Sequence, residues 1–388
     1  MLSRIPRLYN EVGGSQMKQT KIKSALDFYI LANQLKYIEH YTPQLIGEPL
    51  QSKETYASHI YGSLILAIAL NSEFQITTNI GKVIRMITLT YFETLDNDKL
   101  HQSLRNLAKS QKFYEDMQEQ NAVSTTEATL AQEALALDTC LNSHYQMNPN
   151  ITPEELYFKV IWNNPYFQAN PEDYDKYIEV LRFYLLNQTL KQKERSGWDK
   201  THWNIKTSHI ERISEHVFGT ISLALALDSE FDFNINIDEV LETLTLHEIG
   251  EILIGDITPF DNITPEQKAE IEHKAMSNVL GNLNCKNRVL NLLCSFDAKS
   301  TKNAEFALWC DKLEADLQSK IYQEKKLHRP LNDNPNNIVL KSPKVEQMIK
   351  DGATTAFDIW YEWDKDKFTE SPTFVKTLRY IKENRLIN

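Results

Sequence analysis

Residues 216–231 read HVFGTISLALALDSEF, and residues 59–74 read HIYGSLILAIALNSEF. Nine of these sixteen positions are identical at a fixed offset of 157. The match runs on without a gap, with ITLTYFETL (87–95) lying opposite TLTLHEIGEI (243–252). This spacing is far longer than a solenoid period, which is roughly 20 to 50 residues. It predicts two copies of one helical domain, with a boundary near 163–172. The expected order is a flexible tail over 1–22, a helical domain over 23–165, and a second domain over 170–388 that includes the C-terminal helices.

The segments around the repeat carry the same period. LDFYILANQLKYI (26–38), DYDKYIEVLRFYLLNQTL (173–190), DEVLETLTLHEIGEILI (238–254) and AEFALWCDKLEADLQSKIY (304–322) place apolar residues three and four apart. Glycine is scarce, 11 in 388 residues, and no period-two alternation is visible. The fold class read from this is all-α. Thr152-Pro153-Glu154-Glu155 and Thr264-Pro265-Glu266-Gln267 each predict an N-cap, a proline at N1 and a reciprocal group at N3.

Composition narrows the function classes. The chain is 41% hydrophobic and 24% charged, which suits a globular protein with a real core. Its net charge of −11 argues against a nucleic-acid duplex as partner. No apolar run approaches about 18 residues, so no membrane span is expected. The four cysteines, at 140, 285, 294 and 310, form no C-x-x-C pair and read as reduced thiols in a cytoplasmic protein. Residues 1–24 hold basic residues but no apolar run, so no secretory signal is expected.

The two copies differ where polar chemistry would sit. At the common offset His59 matches His216, but Thr90 stands for His247, Tyr91 for Glu248, Thr94 for Glu251 and Lys99 for Asp256. The first copy therefore packs without the His-Glu-x-x-Glu group of the second. That group is flanked by Leu244, Leu246, Ile249, Ile252, Leu253 and Ile254, and no Lys or Arg lies between 238 and 267. Buried carboxylates need a partner, and a bound cation would be one. The second histidine of a zincin is absent, because position 251 is Glu. His216, opening the apolar stretch 217–227, and Asp311, in LWCDKLEAD, are candidates for the remaining ligands. Two histidines and two carboxylates make a set suited to Mn, Fe, Co or Mg with water positions open. Such a cation lowers the pKa of bound water and acts as a Lewis acid on a phosphoryl oxygen.

Ser214-Glu215-His216, then His247-Glu248-x-x-Glu251-x-x-x-Gly255-Asp256, then Asp311-Lys312-Leu313-Glu314-Ala315, with Arg195-Ser196-Gly197-Trp198 upstream and the loop Asp256-Ile257-Thr258-Pro259-Phe260, form an ordered set. The set resembles the HD-domain metal-dependent phosphohydrolases, in the branch of the bacterial 5′-deoxynucleotidases. It covers roughly 175–325, and by the repeat a degenerate copy covers roughly 20–146. The resemblance implies two tandem HD-type helical domains with an intact metal site in the second. It implies His216, His247, Glu248 and Asp311 as metal ligands. Glu248 stands where the family has the aspartate of its His-Asp pair, one methylene shorter. Glu251 and Asp256 would be catalytic, acting on the proton and the water. Arg195 and Trp198 would contact the substrate phosphate and its sugar or base. His59 and Asp138 read as remnants of the lost first site.

These readings imply a divalent-metal-dependent phosphohydrolase in which metal-bound water attacks a small nucleotide or similar phosphomonoester. The first copy would form an internal pseudo-dimer with the second, and a homo-oligomer is a further expectation. A rival from another class is a catalytically silent sensor that binds metal or nucleotide and a protein partner. A scaffold without any metal is a third.

Overall fold

The computed structural model describes residues 5–40, 54–95, 97–162, 164, 170–199, 202–255, 264–331, 333 and 337–387. Among them there is no β-strand, only the isolated bridges Glu39–Thr55 and Glu194–Arg212. The first half contains α1 (Ile5–Asn33), α2 (Tyr56–Glu73), α3 (Ile80–Leu89), α4 (Asn97–Asn106), α5 (Ser110–Ala122), α6 (Thr126–Met147) and the short α7 (Pro153–Leu156). The second contains α8 (Tyr174–Gln192), α9 (Ile213–Glu230), α10 (Ile237–Leu246), α11 (Glu251–Ile254), α12 (Pro265–Leu280), α13 (Lys286–Ala298) and α14 (Lys302–Glu324). Three more close the chain: α15 (Pro343–Lys350), α16 (Ala356–Asp364) and α17 (Pro372–Glu383). The all-α class read from periodicity is the fold observed.

Local chemistry starts the helices. The hydroxyls of Thr55 and Thr301 accept from the backbone N–H three residues on. The two expected capping boxes, Thr152 with Glu155 and Thr264 with Gln267, are both formed. Helices α2 and α9 are apolar on every side because both lie in the middle of the bundle, and most of their residues are buried.

Helix spacing repeats as the sequence does. α2 and α9 each run 18 residues from starts 157 apart, and α3 and α10 each run 10 at the same offset. The two bridges nearly keep this spacing, Arg212 lying 157 residues after Thr55 and Glu194 lying 155 after Glu39. Packing does not follow the linear division at 163–172, however. α1 lies against α9, and α8 lies against α2, so each half lends its leading helix to the other. One apolar core runs from Ile22 to Ile381 through both halves. Ranges 23–165 and 170–388 thus divide the sequence, whereas the core is continuous.

The N-terminal segment also differs from expectation. Helix α1 begins at Ile5, so most of 1–22 is helical and not a tail. Helix continues outward from the buried turn around Ile22, and Lys21 already binds the carbonyl of Glu230 at 2.7 Å. A smaller second cluster joins Trp198, Trp203 and Ile205 to Val339, Val345, Ala356 and Ile359, and so fixes the C-terminal helices beside the loop that follows α8.

Candidate metal centre

The apolar stretch 238–254, expected as one helix, is broken. α10 ends at Leu246, residues 247–250 form turns, and α11 resumes at Glu251. The backbone tightens to i→i+3 bonds, Ile249 to Leu246 at 3.1 Å and Glu251 to Glu248 at 3.0 Å. His247 and Glu251 are therefore not placed by a regular α-helical face. The break frees the carbonyl of Leu244 to take the His247 Nδ1–H at 2.7 Å. That bond fixes the tautomer and leaves Nε2 as a lone-pair donor. Nε2 is buried and has no hydrogen-bond partner.

His216 is fully buried in the first turns of α9. Two carboxylates one turn apart on α14 bracket its ring. Asp311 Oδ1 lies 3.0 Å from Nε2, and Glu314 Oε2 lies 2.5 Å from Nδ1. Glu248 Oε1 is 3.5 Å from Nε2 of both His216 and His247, and Asp311 Oδ1 is 3.8 Å from His247 Nε2. The four donors of His216, His247, Glu248 and Asp311 all lie within 4.8 Å of one another. An octahedral cation with bonds of about 2.1 Å needs adjacent donors about 3.0 Å apart and opposite ones about 4.2 Å apart. The donor set fits a cation after movements of a few tenths of an ångström, and the orphaned Nε2 of His247 faces into it.

The electrostatics agree. Burial pushes the Asp311 carboxyl up, but Lys312, His216 and His247 outweigh it and hold the group well below the usual range. Glu248 is likewise raised by burial and brought below its ordinary value by His247, Arg195 and His216. Burial and Arg195 push His216 down, yet Glu314 and the bonds to Asp311 and Glu314 lift it to about 9. Without a cation the site draws a proton onto His216. It is built for positive charge.

The other expected residues are placed as follows. Arg195 Nη1 donates to Glu248 Oε1 at 2.8 Å. Trp198 is buried, and its indole N–H donates to Glu211 at 2.9 Å, so its polar edge turns into the core. Glu251 lies half-buried on the wall of a cavity of about 560 Å³ that is lined by three of the donors, His247, Glu248 and Asp311, with His216 buried behind them. Asp256 lies outside the described residues, as do residues 257–263.

The same cavity is lined by Lys312, Trp203, Trp360, Trp363 and Lys367, which the sequence reading did not assign to a site. Lys312 Nζ sits 2.9 Å from Asp311 Oδ2. Its place next to a ligand in sequence was the available signal. Trp360 and Trp363 lie in α16, some fifty residues beyond Asp311, and no motif marked them.

The first half has a corresponding cluster of another kind. His59 Nδ1 bonds Asp138 at 2.6 Å, as His216 Nδ1 bonds Glu314. Asp138 thus corresponds to Glu314, the second of the two α14 carboxylates that bracket His216, which lies one helical turn beyond Asp311. Facing the cation side, His59 Nε2 bonds the hydroxyl of Tyr91 at 2.9 Å, and His40 stacks on the ring at 3.9 Å. Tyr91 is the residue that stands for Glu248. The group His40, Glu54 and His59 also has ligand spacing, but Lys191 Nζ already pairs with Glu54 and Asp138.

Residues 187–349 match the HD domain family. The chain is similar to the 5′-deoxynucleotidase HDDC2 of Danio rerio, 29% identical over 147 residues, which are 37% of this chain and 70% of that protein. It is similar to the HDDC2 of Xenopus laevis at 29% over 175 residues, 44% of this chain and 84% of that protein. With the HDDC2 of Homo sapiens it shares 28% over 178 residues, 44% of this chain and 83% of that protein. The four donors all fall within the residues that match the HD domain family, and the relatives to which the chain is similar are named 5′-deoxynucleotidases.

Proposed function

We propose that this protein is a divalent-metal-dependent phosphohydrolase that cleaves the phosphomonoester of a small nucleotide. The observation that supports it most directly is the convergence of His216, His247, Glu248 and Asp311 on one cation-sized point at the wall of a cavity. A cation of the Mn, Co, Mg or Fe class held there would supply Lewis acidity to a phosphoryl oxygen and lower the pKa of water.

The remaining work falls to the chain. Arg195 brings a guanidinium, whose planar fork suits phosphate oxygens, to within 2.8 Å of a ligand carboxylate. Lys312 adds a second cation beside Asp311. Together they favour a dianionic phosphate at the metal centre. Glu251 on the cavity wall is placed to take a proton from the attacking water or give one to the leaving oxygen. Trp203, Trp360 and Trp363 give the cavity flat apolar walls that suit a nucleobase. Asp256 keeps its expected role of positioning water as part of this proposal.

The first half reads as a degenerate HD-like copy, an internal pseudo-partner without a cation site, with Tyr91 in the ligand position. Among the described residues no helix is long and apolar enough to cross a membrane. Cys140, Cys285, Cys294 and Cys310 are free thiols, which suits the reducing cytoplasm.

The test is phosphate release from a panel of nucleoside and deoxynucleoside monophosphates with Mn²⁺, Co²⁺ or Mg²⁺. Wild-type protein is expected to turn over with bound metal, and His247→Ala to lose nearly all of it. Tight nucleotide and metal binding without turnover in the wild type would replace the enzyme by the silent sensor.

A further inference from the structure

The metal centre has a back wall, and the second half does not build it alone. Glu314 Oε2 holds His216 Nδ1 at 2.5 Å. Its other oxygen accepts from Lys36 Nζ at 2.5 Å and from the Tyr29 hydroxyl at 2.7 Å. Lys36 follows α1 and Tyr29 lies in it, far outside the residues that match the HD domain. Lys36 also donates to Glu211 Oε1 at 2.5 Å, and Asn33 donates to Gln318 on α14 at 3.0 Å. Lys36, Tyr29, Glu314 and His216 are all fully buried. Space for them depends on Gly219. A Cβ there would come within 2.3 Å of Glu314 Oε1 and 2.7 Å of Lys36 Nζ. This explains the His-x-x-Gly spacing common to both copies.

We propose that Lys36 and Tyr29, delivered by the N-terminal half, are positioning residues of the metal centre. They fix Glu314, and Glu314 fixes the His216 ring so that Nε2 faces the cation position. The physical reason is the low polarity of the site. A buried carboxylate without a countercharge is costly, and it would reorient or share its proton with His216. With Lys36 and Tyr29 on one oxygen, the other is committed to Nδ1–H, and the tautomer that leaves Nε2 bare is enforced. The HD domain is then incomplete as a unit of sequence, because part of its second layer of contacts comes from a helix some 180 residues upstream.

The molecule contains its own control. In the first half Lys191 Nζ and the Tyr184 hydroxyl each bind Asp138 Oδ1 at 2.9 Å, and Asp138 holds His59. The buried chemistry is the same, but His59 Nε2 is closed off by Tyr91. Removing Lys191 removes an equally buried ammonium and touches no proposed ligand.

The inference rests on the metal reading of the site, and the test separates the two. Full-length wild type, Lys36→Met, Tyr29→Phe, Lys191→Met and Tyr184→Phe are loaded with Co²⁺. Affinity is read by chelator competition, the visible d–d spectrum reports ligand geometry, and melting reports stability. Lys36→Met is expected to weaken Co²⁺ binding by about 10- to 100-fold and alter the spectrum, with a smaller loss of the same kind in Tyr29→Phe. Lys191→Met and Tyr184→Phe are expected to melt earlier yet keep wild-type affinity and spectrum. Should Lys36→Met not fold, the isosteric Tyr29→Phe decides. Unchanged affinity and spectrum in the Lys36 and Tyr29 variants, or equal changes in the Lys191 and Tyr184 variants, would overturn the positioning role alone. No Co²⁺ binding by the wild type would remove the metal reading with it.

Discussion

Cation binding at this site should stabilise the whole chain as one unit, and the size of the effect can be worked out. A ligand present at 100 times its Kd and bound only by the native state adds about 2.7 kcal/mol. Unfolding entropy near 60 °C is about 2.1 cal/mol/K per residue. For 388 residues unfolding together that is about 0.8 kcal/mol/K, so the expected rise in Tm is about 3 °C. Were residues 187–349 a separate unit, the same binding would raise their own transition by about 8 °C and leave a second transition in place. The structure favours the first outcome. α1 and α8 are exchanged between halves, and Lys36–Glu314 and Lys191–Asp138 cross in opposite senses. Arg85 reaches Asp238 at 2.9 Å, and Glu73 accepts from the backbone of Asn284 at 2.6 Å. Differential scanning calorimetry with and without Mn²⁺, on wild type and His247→Ala, is the assay. One transition that moves by about 3 °C in wild type and not in the variant is expected. Two transitions of which one moves by about 8 °C would refute the interlocked core, and an equal shift in His247→Ala would put the cation elsewhere.

Three further outcomes follow from single side chains. Arg195→Met removes the donor that holds Glu248 at 2.8 Å, and kcat/KM on the best monophosphate should fall by about a hundredfold, read by steady-state phosphate release. His328 has both ring nitrogens buried without a partner, and burial lowers its pKa from 6.5 to about 4. The folded state keeps it neutral while the unfolded chain takes up a proton, so stability is full above pH 6.5 and falls as pH drops toward 4. The loss is about 3 kcal/mol, and urea unfolding of His328→Gln across that range should lack it. Asp316 is buried with no partner for either oxygen, and burial together with Asp364 raises its pKa well above 3.8. A raised carboxyl stabilises at low pH and costs stability as pH rises, so Asp316→Asn should melt higher than wild type at pH 7 and lose that advantage below pH 4.

The sequence showed the packing plan well and the polar plan in part. A repeat of nine identities in sixteen was readable because α2 and α9 fill the same central place and tolerate little change there. His247 and Glu248 stood out because carboxylates amid leucines and isoleucines lacked a nearby cation, an argument from charge that needs no coordinates. The break after Leu246 was hidden, since a turn of i→i+3 bonds keeps almost the same apolar spacing as a helix. Lys36 was hidden for another reason. At the end of LANQLKYI it looks like an ordinary solvated lysine, and its partner Glu314 lies 278 residues away. Trp198 lines the cavity, as expected of a substrate contact, while its N–H serves Glu211, a bond with no signature at the spacing of a motif.

On the proposed reading of the first half as a degenerate copy, the two halves differ in how they satisfy the same buried histidine. A buried histidine bracketed by a carboxylate needs a partner on its second nitrogen. In the second half that position faces two more carboxylates, whose mutual repulsion only a positive charge relieves. In the first half Tyr91 supplies a neutral hydroxyl at 2.9 Å, and the position of Asp311 on α14 corresponds on α6 to Leu135, three residues before Asp138. With a phenol in one carboxylate position and a leucine in the other, the first half leaves His59 Nε2 a neutral partner and no pair of carboxylates around it. The Lys–carboxylate–His relay behind the ring is kept in both halves because it joins them. Each lysine comes from the opposite partner of the exchange, so a change in either relay would expose a charge inside a core that both halves use.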